Sequence, residues 1–411
     1  MSEKRKVTRR EFLQQAAGAA AVVAAGVWGA SAPASALGAN DRINIGVIGC
    51  GGQGTSHLRE LVDWSKSGYE NIAVIGVCDI YEPRKERAKD ISGAKVFHDY
   101  HDLLEMPDLD AVLIGTPDHW HSRITIDAME AGKDVYCEKP MTRYWYEAKE
   151  VAQVQARTGR VVQVGAQGSS SDLRWQANRL IREGAVGKLL WSQGGYCRNS
   201  TDGEWNWWID PAATPQNLDW DRFLGPAPKR PFDPERFFRF RKYWDYSGGI
   251  ATDLFYHSLT ELETALGPEF PCRVSAAGGI YIFPDREVPD TFEVIIDYPT
   301  NHTVLLVSSM GNRQGVPEVI RGHEATLTYE GDQVVVTPED EFKGQRTVIR
   351  VNEQPRKGHK ENWLECIRTR GTPHCDAQKG YRIMVAIALS VEAYRQQKTM
   401  HFDPVKEELI G

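Results

Sequence analysis

The feature that most constrains the fold of this chain is a glycine-rich turn. Residues 49–54 read G-C-G-G-Q-G and satisfy the pattern G-x-G-x-x-G. The turn directly follows an apolar run, Ile43–Ile48, and it opens a helical pattern over Thr55–Trp64. The pattern alone is weak evidence, but this order of strand, glycine turn and helix is the context that dinucleotide binding requires. The sequence therefore predicts a nucleotide-binding strand–turn–helix unit.

The glycines of this turn have separate expected roles. The first permits a tight turn, the second lets the backbone approach a pyrophosphate, and the third allows the helix to pack closely on the strand. The N-terminus of the helix then faces the phosphates, because its free N–H groups favour anions. The predicted cofactor contacts in the turn are Gly49, Gly51, Gly52, Gln53 and Gly54.

Short apolar runs alternate with helical patterns as far as residue 164. The runs show little polar–apolar alternation, which is typical of parallel strands buried on both faces. Repeated strand–helix–strand units predict a doubly wound α/β Rossmann domain over residues 41–164. The predicted strands are Ile43–Ile48, Ile72–Cys78, Ala111–Ile114, Val135–Cys137 and Val161–Val164. The predicted helices are Thr55–Trp64, Pro83–Ala88, Ser122–Ala131 and Tyr144–Arg157.

The pattern changes after residue 165. Alternating strands are typical of an antiparallel sheet with one covered face, so residues 165–411 are predicted to form an α+β domain with a large, open, mostly antiparallel sheet. Its predicted strands are Leu189–Cys197, Arg273–Tyr281, Thr291–Tyr298, Thr303–Ser309, Ala325–Tyr329, Gln333–Thr337 and Arg346–Val351. Its predicted helices are Leu173–Arg182, Ile250–Ala265, Lys360–Thr369 and Lys379–Gln396. A long aromatic loop, residues 199–247, has no predicted structure, and a loop of that length is typically functional.

Asp79 ends the second predicted strand and bears on the choice of cofactor. A carboxylate at this point can accept hydrogen bonds from both ribose hydroxyls, and it would repel a 2′-phosphate. NAD is therefore predicted in preference to NADP. Arg84 leaves the alternative open because its guanidinium could reach a phosphate, although a solvated helix charge is the preferred interpretation.

Two further segments carry residues suited to hydride-transfer chemistry. Lys139 follows Glu138 in a C-E-K-P segment at the end of the fifth predicted strand, the edge where doubly wound sheets bind ligands. Lys139 can hydrogen-bond a substrate hydroxyl, although an isolated lysine is more often a surface residue, and Glu138 is expected to support the site or the cofactor. Asp253 and His257 are four residues apart on a predicted helix, so the carboxylate can orient the imidazole. His257, with an ordinary pKa of about 6.5, is the natural base, although an isolated pair of this kind is more often a helix ion pair.

These segments occur in the order, and at about the spacing, of the Gfo/Idh/MocA family. The chain resembles that family over nearly all of its expected mature length, including the order of Rossmann domain and open-sheet domain. The resemblance implies oxidation of a sugar or cyclitol hydroxyl, with Lys139, Asp253 and His257 as the catalytic triad. Glycosidases of the wider family often lack the lysine, so this chain is more similar to the dehydrogenase branch.

Residues 116–121, T-P-D-H-W-H, follow the fourth predicted strand and should also face the nicotinamide. Thr116 and Pro117 are predicted cofactor contacts, and the family resemblance implies that His121 lies near the cofactor or substrate. His119 and His121 could instead bind a metal, or be ordinary loop residues. No metal is predicted, because no carboxylate-rich cluster accompanies them.

The aromatic loop contains several tryptophans and tyrosines, and sugars present apolar C–H faces that stack on such rings. The candidate substrate contacts are Trp207, Trp208 and Tyr243, with Arg198 as a partner for hydroxyl groups. The alternative is that these rings pack the loop onto the sheet or onto a neighbouring subunit. The sequence leaves both interpretations open.

Charge and the N-terminal sequence indicate the cellular setting. The net charge of −7 makes nucleic acid an unexpected partner. Residues 1–36 combine a twin-arginine pattern at Thr8–Leu13, an alanine-rich run at Ala16–Ala30 and a small-residue cleavage site at Ala34–Ala36. The run is shorter than the roughly 20 residues that a membrane span needs. We therefore expect export of the folded protein to the periplasm, with no membrane attachment after signal removal.

Three functional hypotheses follow from these observations. The leading one is an oxidoreductase that transfers hydride between a sugar or polyol ring carbon and a tightly bound nicotinamide cofactor. The second is a redox-neutral glycoside hydrolase or lyase that works through a transient keto-sugar. The third, a sugar sensor with a degenerate Rossmann domain, is disfavoured by the intact lysine, aspartate and histidine. The open sheet predicts a homodimer or homotetramer.

Overall fold

The alternation of strands and helices produces a parallel sheet of six strands. The computed structural model describes residues 42–410, so the predicted twin-arginine segment lies outside the described residues. The strands are β1 (Ile43–Ile48), β2 (Ile72–Cys78), β3 (Lys95–Phe97), β4 (Ala111–Ile114), β5 (Asp134–Glu138) and β6 (Val162–Gly165). Their order is β3-β2-β1-β4-β5-β6, and every neighbouring pair is parallel. This order confirms the predicted doubly wound Rossmann sheet.

The helices of this region lie between successive strands. They are α1 (Gly52–Ser67), α2 (Glu82–Ser92), α3 (Tyr100–Leu104), α4 (Asp118–Glu130) and α5 (Trp145–Thr158). Pro83 occupies the first turn of α2, where its missing N–H costs no hydrogen bond. The short elements β3 and α3 were not predicted, because three to five residues are too few for a periodic pattern to be read.

The second sheet is mixed and mostly antiparallel, as predicted. Its strands are β7 (Leu189–Gly195), β8 (Arg273–Gly279), β9 (Thr291–Tyr298), β10 (His302–Ser309), β11 (Val319–Gly322), β12 (Ala325–Glu330), β13 (Gln333–Pro338), β14 (Ile349–Asn352), β15 (Met400–Asp403) and β16 (Glu408–Ile410). Their order is β14-β13-β12-β11-β7-β10-β9-β8-β15-β16, with β7 and β10 parallel. The prediction did not include β11, β15 and β16, which are all short.

Helices cover one face of this sheet. They include α6 (Asp172–Arg182), α9 (Tyr256–Leu266) and α11 (Ala377–Gln396). The helix α10 (His359–Thr369) packs instead on the Rossmann sheet. Side chains alternate strictly between buried and partly exposed along β10, which is the pattern of a sheet with one covered face. Residues 41–411 form one compact unit that contains both sheets. Within residues 42–410 no helix combines the length and the apolar character that crossing a membrane requires.

The aromatic loop is not structureless, contrary to the sequence-based expectation. It contains two short helices, α7 (Trp220–Leu224) and α8 (Pro234–Phe238), and it has a small apolar core of its own. Tyr81, at the end of β2, belongs to this core and pairs with Leu218 of the loop. The loop is therefore packed against the edge of the Rossmann sheet at which β2 ends.

Candidate functional site

A cavity of about 470 Å³ lies where the strands of the Rossmann sheet end. Its floor is formed by the glycine turn after β1 and by Thr116 and Pro117 after β4. Lys139, after β5, lies at the same cavity, and the aromatic loop contributes the opposite wall. This is the edge at which doubly wound sheets bind their ligands.

The glycine turn has the geometry of a nucleotide cradle. Gly49 has a φ of 86°, and a Cβ atom there would lie 2.7 Å from the amide nitrogen of Thr116. A Cβ atom on Gly54 would overlap the carbonyl oxygen of Gly49, so Gly54 allows α1 to approach the strand. Gly51 and Gly52, at the start of α1, line the cavity with free helix N–H groups beside them. The residues present fit a dinucleotide.

Asp79 lines the cavity and also holds the glycine turn. Its Oδ2 accepts a hydrogen bond from the Cys50 amide at 2.7 Å, and its Oδ1 accepts one from the Tyr81 amide at 3.0 Å. Each carboxylate oxygen keeps lone-pair capacity toward the cavity.

Arg84 is not a solvated helix charge, which corrects the preferred interpretation of the sequence. Its guanidinium lines the cavity and stacks on Phe237 of the aromatic loop at 4.5 Å.

Asp253 is the centre of a charged cluster at the other end of the cavity. Its Oδ1 accepts hydrogen bonds from Lys139 Nζ and Arg241 Nε, both at 2.8 Å, and its Oδ2 accepts one from Trp205 Nε1 at 2.9 Å. Lys139 Nζ also donates to the Asp253 carbonyl at 2.8 Å. Burial alone would raise the pKa of Asp253, but the charges of Lys139 and Arg241 hold it well below its usual range. Asp253 is therefore a permanent anion that orients Lys139.

The predicted pairing of Asp253 with His257 is wrong in this structure. Asp253 lies in a π-helical turn, Ala251–Phe255, whereas His257 lies in the first turn of α9. The wider π turn breaks the regular spacing that places residues i and i+4 on one face. The oxygens of Asp253 bond three other side chains, and the His257 ring has no hydrogen-bond partner among residues 42–410. Its nearest ring contact is Tyr196, with centroids 6.3 Å apart.

The environment of His257 keeps its imidazole neutral at physiological pH. Burial lowers its pKa, and the nearby charge of Lys139 lowers it further, to about 4. A neutral imidazole can accept a proton, so His257 retains the chemistry of a base without a carboxylate bonded to it.

Glu138 lines the cavity beside Lys139 and is held by α1. Its Oε1 accepts a hydrogen bond from His57 Nε2 at 2.6 Å, and its Oε2 accepts one from the Lys139 amide at 3.1 Å. Although burial would raise the pKa of Glu138, the His57 contact and the Lys139 charge lower it to about 2. The other ring nitrogen of His57, Nδ1, is buried without a partner in the described part of the chain.

His121 does not face the cavity, which corrects the expectation drawn from the family resemblance. It is 1% exposed, with Nδ1 2.6 Å from the Pro140 carbonyl and Nε2 2.8 Å from the Thr116 carbonyl. Two carbonyl partners require both ring nitrogens to donate, which only the imidazolium can do. Burial opposes that charge, but the Cys137 sulfur and the Asp118 carboxylate raise the pKa of His121 to about 9. It links the two loops that follow β4 and β5.

His119 is also buried, and its Nε2 bonds the Phe223 carbonyl at 2.8 Å. Burial lowers its pKa to about 3, so it is a neutral core residue that ties α4 to the aromatic loop. No group of three or more histidine, cysteine, aspartate or glutamate side chains in residues 42–410 is arranged to hold a metal ion.

The aromatic residues divide between the two interpretations left open by the sequence. Trp207 and Trp208 line the cavity and are 49% and 71% exposed, so their rings are available to a ligand. Tyr243 does not line the cavity and instead stacks under the guanidinium of Arg236 at 4.2 Å. Arg198 also lies outside the lining, stacked on Tyr196 at 4.7 Å. Trp207 and Trp208 are therefore the substrate candidates that line the cavity, whereas Tyr243 and Arg198, like His257, lie outside its lining.

Sequence reasoning missed three residues of the site. Arg241 and Trp205 bond Asp253 from opposite ends of the aromatic loop. Trp205 belongs to the aromatic run considered for sugar stacking, but no local pattern marks either residue as a partner of Asp253. Their contacts join positions that are distant in sequence, which spacing alone cannot reveal. His57 carried a local signal, because it lies three residues after Gly54 on the helix that faces the sheet.

The fold and the cavity define a protein with a dinucleotide-binding Rossmann domain followed by an open-sheet α+β domain. The profile of the oxidoreductase family with an NAD-binding Rossmann fold, Gfo/Idh/MocA, matches residues 43–166. The profile of the C-terminal alpha/beta domain of the same family matches residues 197–302. Together the two profiles match more than half of the chain, and the chain belongs to the Gfo/Idh/MocA family.

Sequence relatives include dehydrogenases of cyclitols. The chain is 32% identical to the inositol 2-dehydrogenase of Salmonella typhimurium over 162 residues, which are 39% of this chain and 47% of that protein. It is 30% identical to the inositol 2-dehydrogenase/D-chiro-inositol 3-dehydrogenase of Lactiplantibacillus plantarum over 149 residues, or 36% of this chain and 41% of that protein. The chain thus spans about half the length of the relatives it matches.

Solved structures share the fold over most of the chain. A levoglucosan dehydrogenase in complex with NADH and L-sorbose superposes with a TM-score of 0.66 at 19% identity, covering 88% of this chain and 98% of that one. The WlbA dehydrogenase of Bordetella pertussis, in complex with NADH and UDP-GlcNAcA, gives a TM-score of 0.63 at 17% identity, covering 88% and 99%. These similarities confirm the predicted fold class of a Rossmann domain followed by an open-sheet domain.

Proposed function

We propose that this protein oxidises a ring hydroxyl of a sugar or polyol and transfers the hydride to NAD held in the cavity. The observation that supports this most is the position of Lys139, which lies at the cavity with its ammonium fixed by Asp253 at 2.8 Å. When bound, NAD would supply the hydride acceptor at this end of the cavity. The glycine turn would hold its pyrophosphate. Asp79 would bond its ribose, and Glu138 would bond its nicotinamide portion.

Lys139 and His257 divide the remaining chemistry. Lys139 donates hydrogen bonds, and its charge would stabilise the oxygen of the substrate as negative charge develops during loss of the hydroxyl proton. His257 is neutral at physiological pH and would accept that proton. Trp207 and Trp208 would stack on the C–H face of the ring, since both are exposed at the cavity.

We further propose that the cofactor is retained between turnovers, because the aromatic loop is fastened across the nucleotide end of the cavity. The Tyr81 hydroxyl donates to Asp210 at 2.7 Å, and Arg222 bonds Asp99 at 2.7 Å. His98 Nε2 lies 2.9 Å from Asp219 Oδ2. A loop held at several points opens slowly, and slow opening would slow NAD release.

Retention matters because of the twin-arginine pattern at Thr8–Leu13, from which we propose export to the periplasm in the folded state. A protein that folds before export can carry its cofactor across the membrane. The reduced cofactor must then return to its starting state on the enzyme. This can occur by reduction of a second sugar, or by reversal on the same sugar after elimination of an aglycone.

The experiment is to denature the purified protein and to measure the nicotinamide nucleotide released per chain. We expect close to one NAD per chain, and little net NADH from added NAD. Parallel assays with free sugars and with glycosides separate the two modes of return, since only the redox-neutral route cleaves a glycoside. Nucleotide-free protein that reduces added NAD freely would disprove retention but leave hydride transfer standing.

A further inference from the structure

A second cavity, of about 250 Å³, shares no lining residue with the nucleotide cavity. Three segments form its wall. Arg143 and Tyr144 come three and four residues after Pro140 of the E-K-P segment, and Ser247 and Gly248 precede the π-helical turn that carries Asp253. The last turns of α11 supply the remainder, namely Ala388, Val391, Glu392, Arg395 and Gln396.

Two guanidinium groups of this cavity have no carboxylate partner. Among residues 42–410, neither Arg143 nor Arg395 forms a salt bridge, and neither side chain donates a hydrogen bond to a protein acceptor. Each guanidinium instead rests on an aromatic ring, Arg143 on Tyr144 at 4.4 Å and Arg395 on Trp244 at 5.3 Å. A guanidinium over a ring keeps its N–H donors available to a ligand.

Burying a guanidinium group without a carboxylate partner is unfavourable, and this applies mainly to Arg143. Burial lowers its pKa most, and the like charge of Arg395 also lowers it, whereas Tyr144, Glu147 and Asp118 raise it without forming an ion pair. Glu392 is the single carboxylate in the lining, and burial raises its pKa although the charges of Lys398 and Arg395 act in the opposite direction. The cavity therefore presents two guanidinium groups and one carboxyl group.

We propose that this cavity is a binding site for a small oxyanion, a phosphate or carboxylate group held between Arg143 and Arg395. Guanidinium groups bind both kinds of oxyanion through paired hydrogen bonds, which are stronger than those between neutral groups. The volume of about 250 Å³ accommodates such a group with a few additional atoms. The cavity thus defines a second ligand site, distinct from the nucleotide cavity.

This site is connected to the nucleotide cavity by hydrogen bonds. The Ser247 hydroxyl donates to Asp118 Oδ2 at 2.7 Å, and the Thr252 hydroxyl donates to the same oxygen at 3.0 Å. The amide of Gly248 donates to Thr252 Oγ1 at 2.9 Å. Asp118 lines the nucleotide cavity, and Thr252 directly precedes Asp253. An anion that orders the turn at Gly248 would also order the segment that positions Lys139.

The test is isothermal titration of NAD-saturated protein with inorganic phosphate and, separately, with acetate, in buffers matched for ionic strength with KCl. Saturation with NAD blocks the pyrophosphate site, so binding there cannot be mistaken for binding at this cavity. We expect one saturable site per chain. Arg395→Gln and Arg143→Gln should each weaken binding about tenfold or more, as loss of a charge-assisted hydrogen bond would.

Arg382→Gln is the matched control, because Arg382 also lies on α11 but outside this cavity. It should leave the affinity unchanged. Arg395 is exposed, so its substitution tests the proposal even if Arg143→Gln does not fold. Absence of saturable binding for both anions, or equal affinity in Arg395→Gln and the wild type, would overturn the proposal. Phosphate and acetate affinities together identify which oxyanion the site prefers.

Discussion

At the scale of single residues, the site depends on the hydrogen bonds that the Asp253 carboxylate accepts from several side chains. Asp253 accepts from Lys139, Arg241 and Trp205, so its charge serves to position other groups. Such a buried anion is stable only while its partners remain, because an unpaired buried charge is strongly unfavourable. Lys139 can be replaced without stranding Asp253, since Arg241 and Trp205 still bond it.

Lys139→Met should therefore reduce turnover without unfolding the protein. We expect a loss of about a hundredfold or more in kcat, the usual range for removing an acid–base group, and NAD binding close to that of the wild type. Lys149→Met is the control, because Lys149 lies on α5 and bonds the Glu407 carbonyl. Steady-state kinetics and nucleotide titration check both expectations, and a Lys139 variant with ordinary turnover would remove this residue from the mechanism.

The pH dependence should report His257. Its folded pKa is depressed to about 4, so the base is neutral and competent above that value, and kcat/KM should fall as pH drops through about 4 rather than through 6.5. Because protonation is easier in the unfolded chain, stability contributed by the neutral ring is lost as pH falls from the unfolded pKa toward 4.

In His257→Gln, the fall in kcat/KM at acid pH that is assigned to this residue should disappear, and activity should be much lower at every pH. His302→Gln is a matched control, since His302 is buried, bonds Ser192, and also has a pKa lowered to about 4 by burial. Its loss should change acid stability but not the pH–rate profile. An identical acid limb in the His257 variant would assign the base elsewhere.

At the scale of elements, the aromatic loop determines access to the nucleotide. Tyr81 joins it to β2 through a ring buried in the core of the loop and through a hydroxyl bonded to Asp210 at 2.7 Å. Tyr81→Phe retains the ring and removes only the hydrogen bond, worth about 1 kcal/mol. We expect NAD to dissociate about fivefold faster, measured as nucleotide lost over time during dilution.

Tyr69→Phe is the control for that experiment, because its hydroxyl bonds Glu361 at the surface. It should leave the dissociation rate unchanged. Equal rates in both variants would show that the loop does not limit release of the cofactor.

At the scale of the whole molecule, the ten-stranded sheet has one face that no helix covers among the described residues. Trp191 and Ile295 lie on this face, 38% and 47% exposed. Apolar side chains on an open sheet face are typical of an interface, and we propose that this face pairs two copies of the chain. Burying it against a second copy would remove this apolar surface from water.

Ile295→Lys should therefore shift the protein toward monomers in analytical ultracentrifugation, because burying the lysine charge in the apolar interface is unfavourable. Val405→Lys is the control, since Val405 is 90% exposed in the turn before β16, away from the centre of the sheet. A wild-type monomer, or an unchanged assembly in Ile295→Lys, would contradict this assignment.

The sequence by itself determined the elements whose signals are local. The apolar run at Ile43–Ile48 and the glycine turn after it specify β1, the cradle and α1, because backbone conformation and close packing depend on neighbouring residues there. Alternation along Thr291–Tyr298 likewise specified β9 with its bounds. The order of such elements was enough to predict the fold class.

Only the tertiary structure decided which side chains meet. The sequence spacing predicted that Asp253 lies beside His257. Instead, Asp253 lies in a π-helical turn, and its carboxylate bonds Lys139 and Trp205, which are 114 and 48 residues away in the sequence. His121 was expected at the cofactor and is bonded between two carbonyls below the cavity floor. The physical reason is that a buried charge or ring nitrogen takes whichever partner satisfies it best in three dimensions, and sequence spacing does not record that partner.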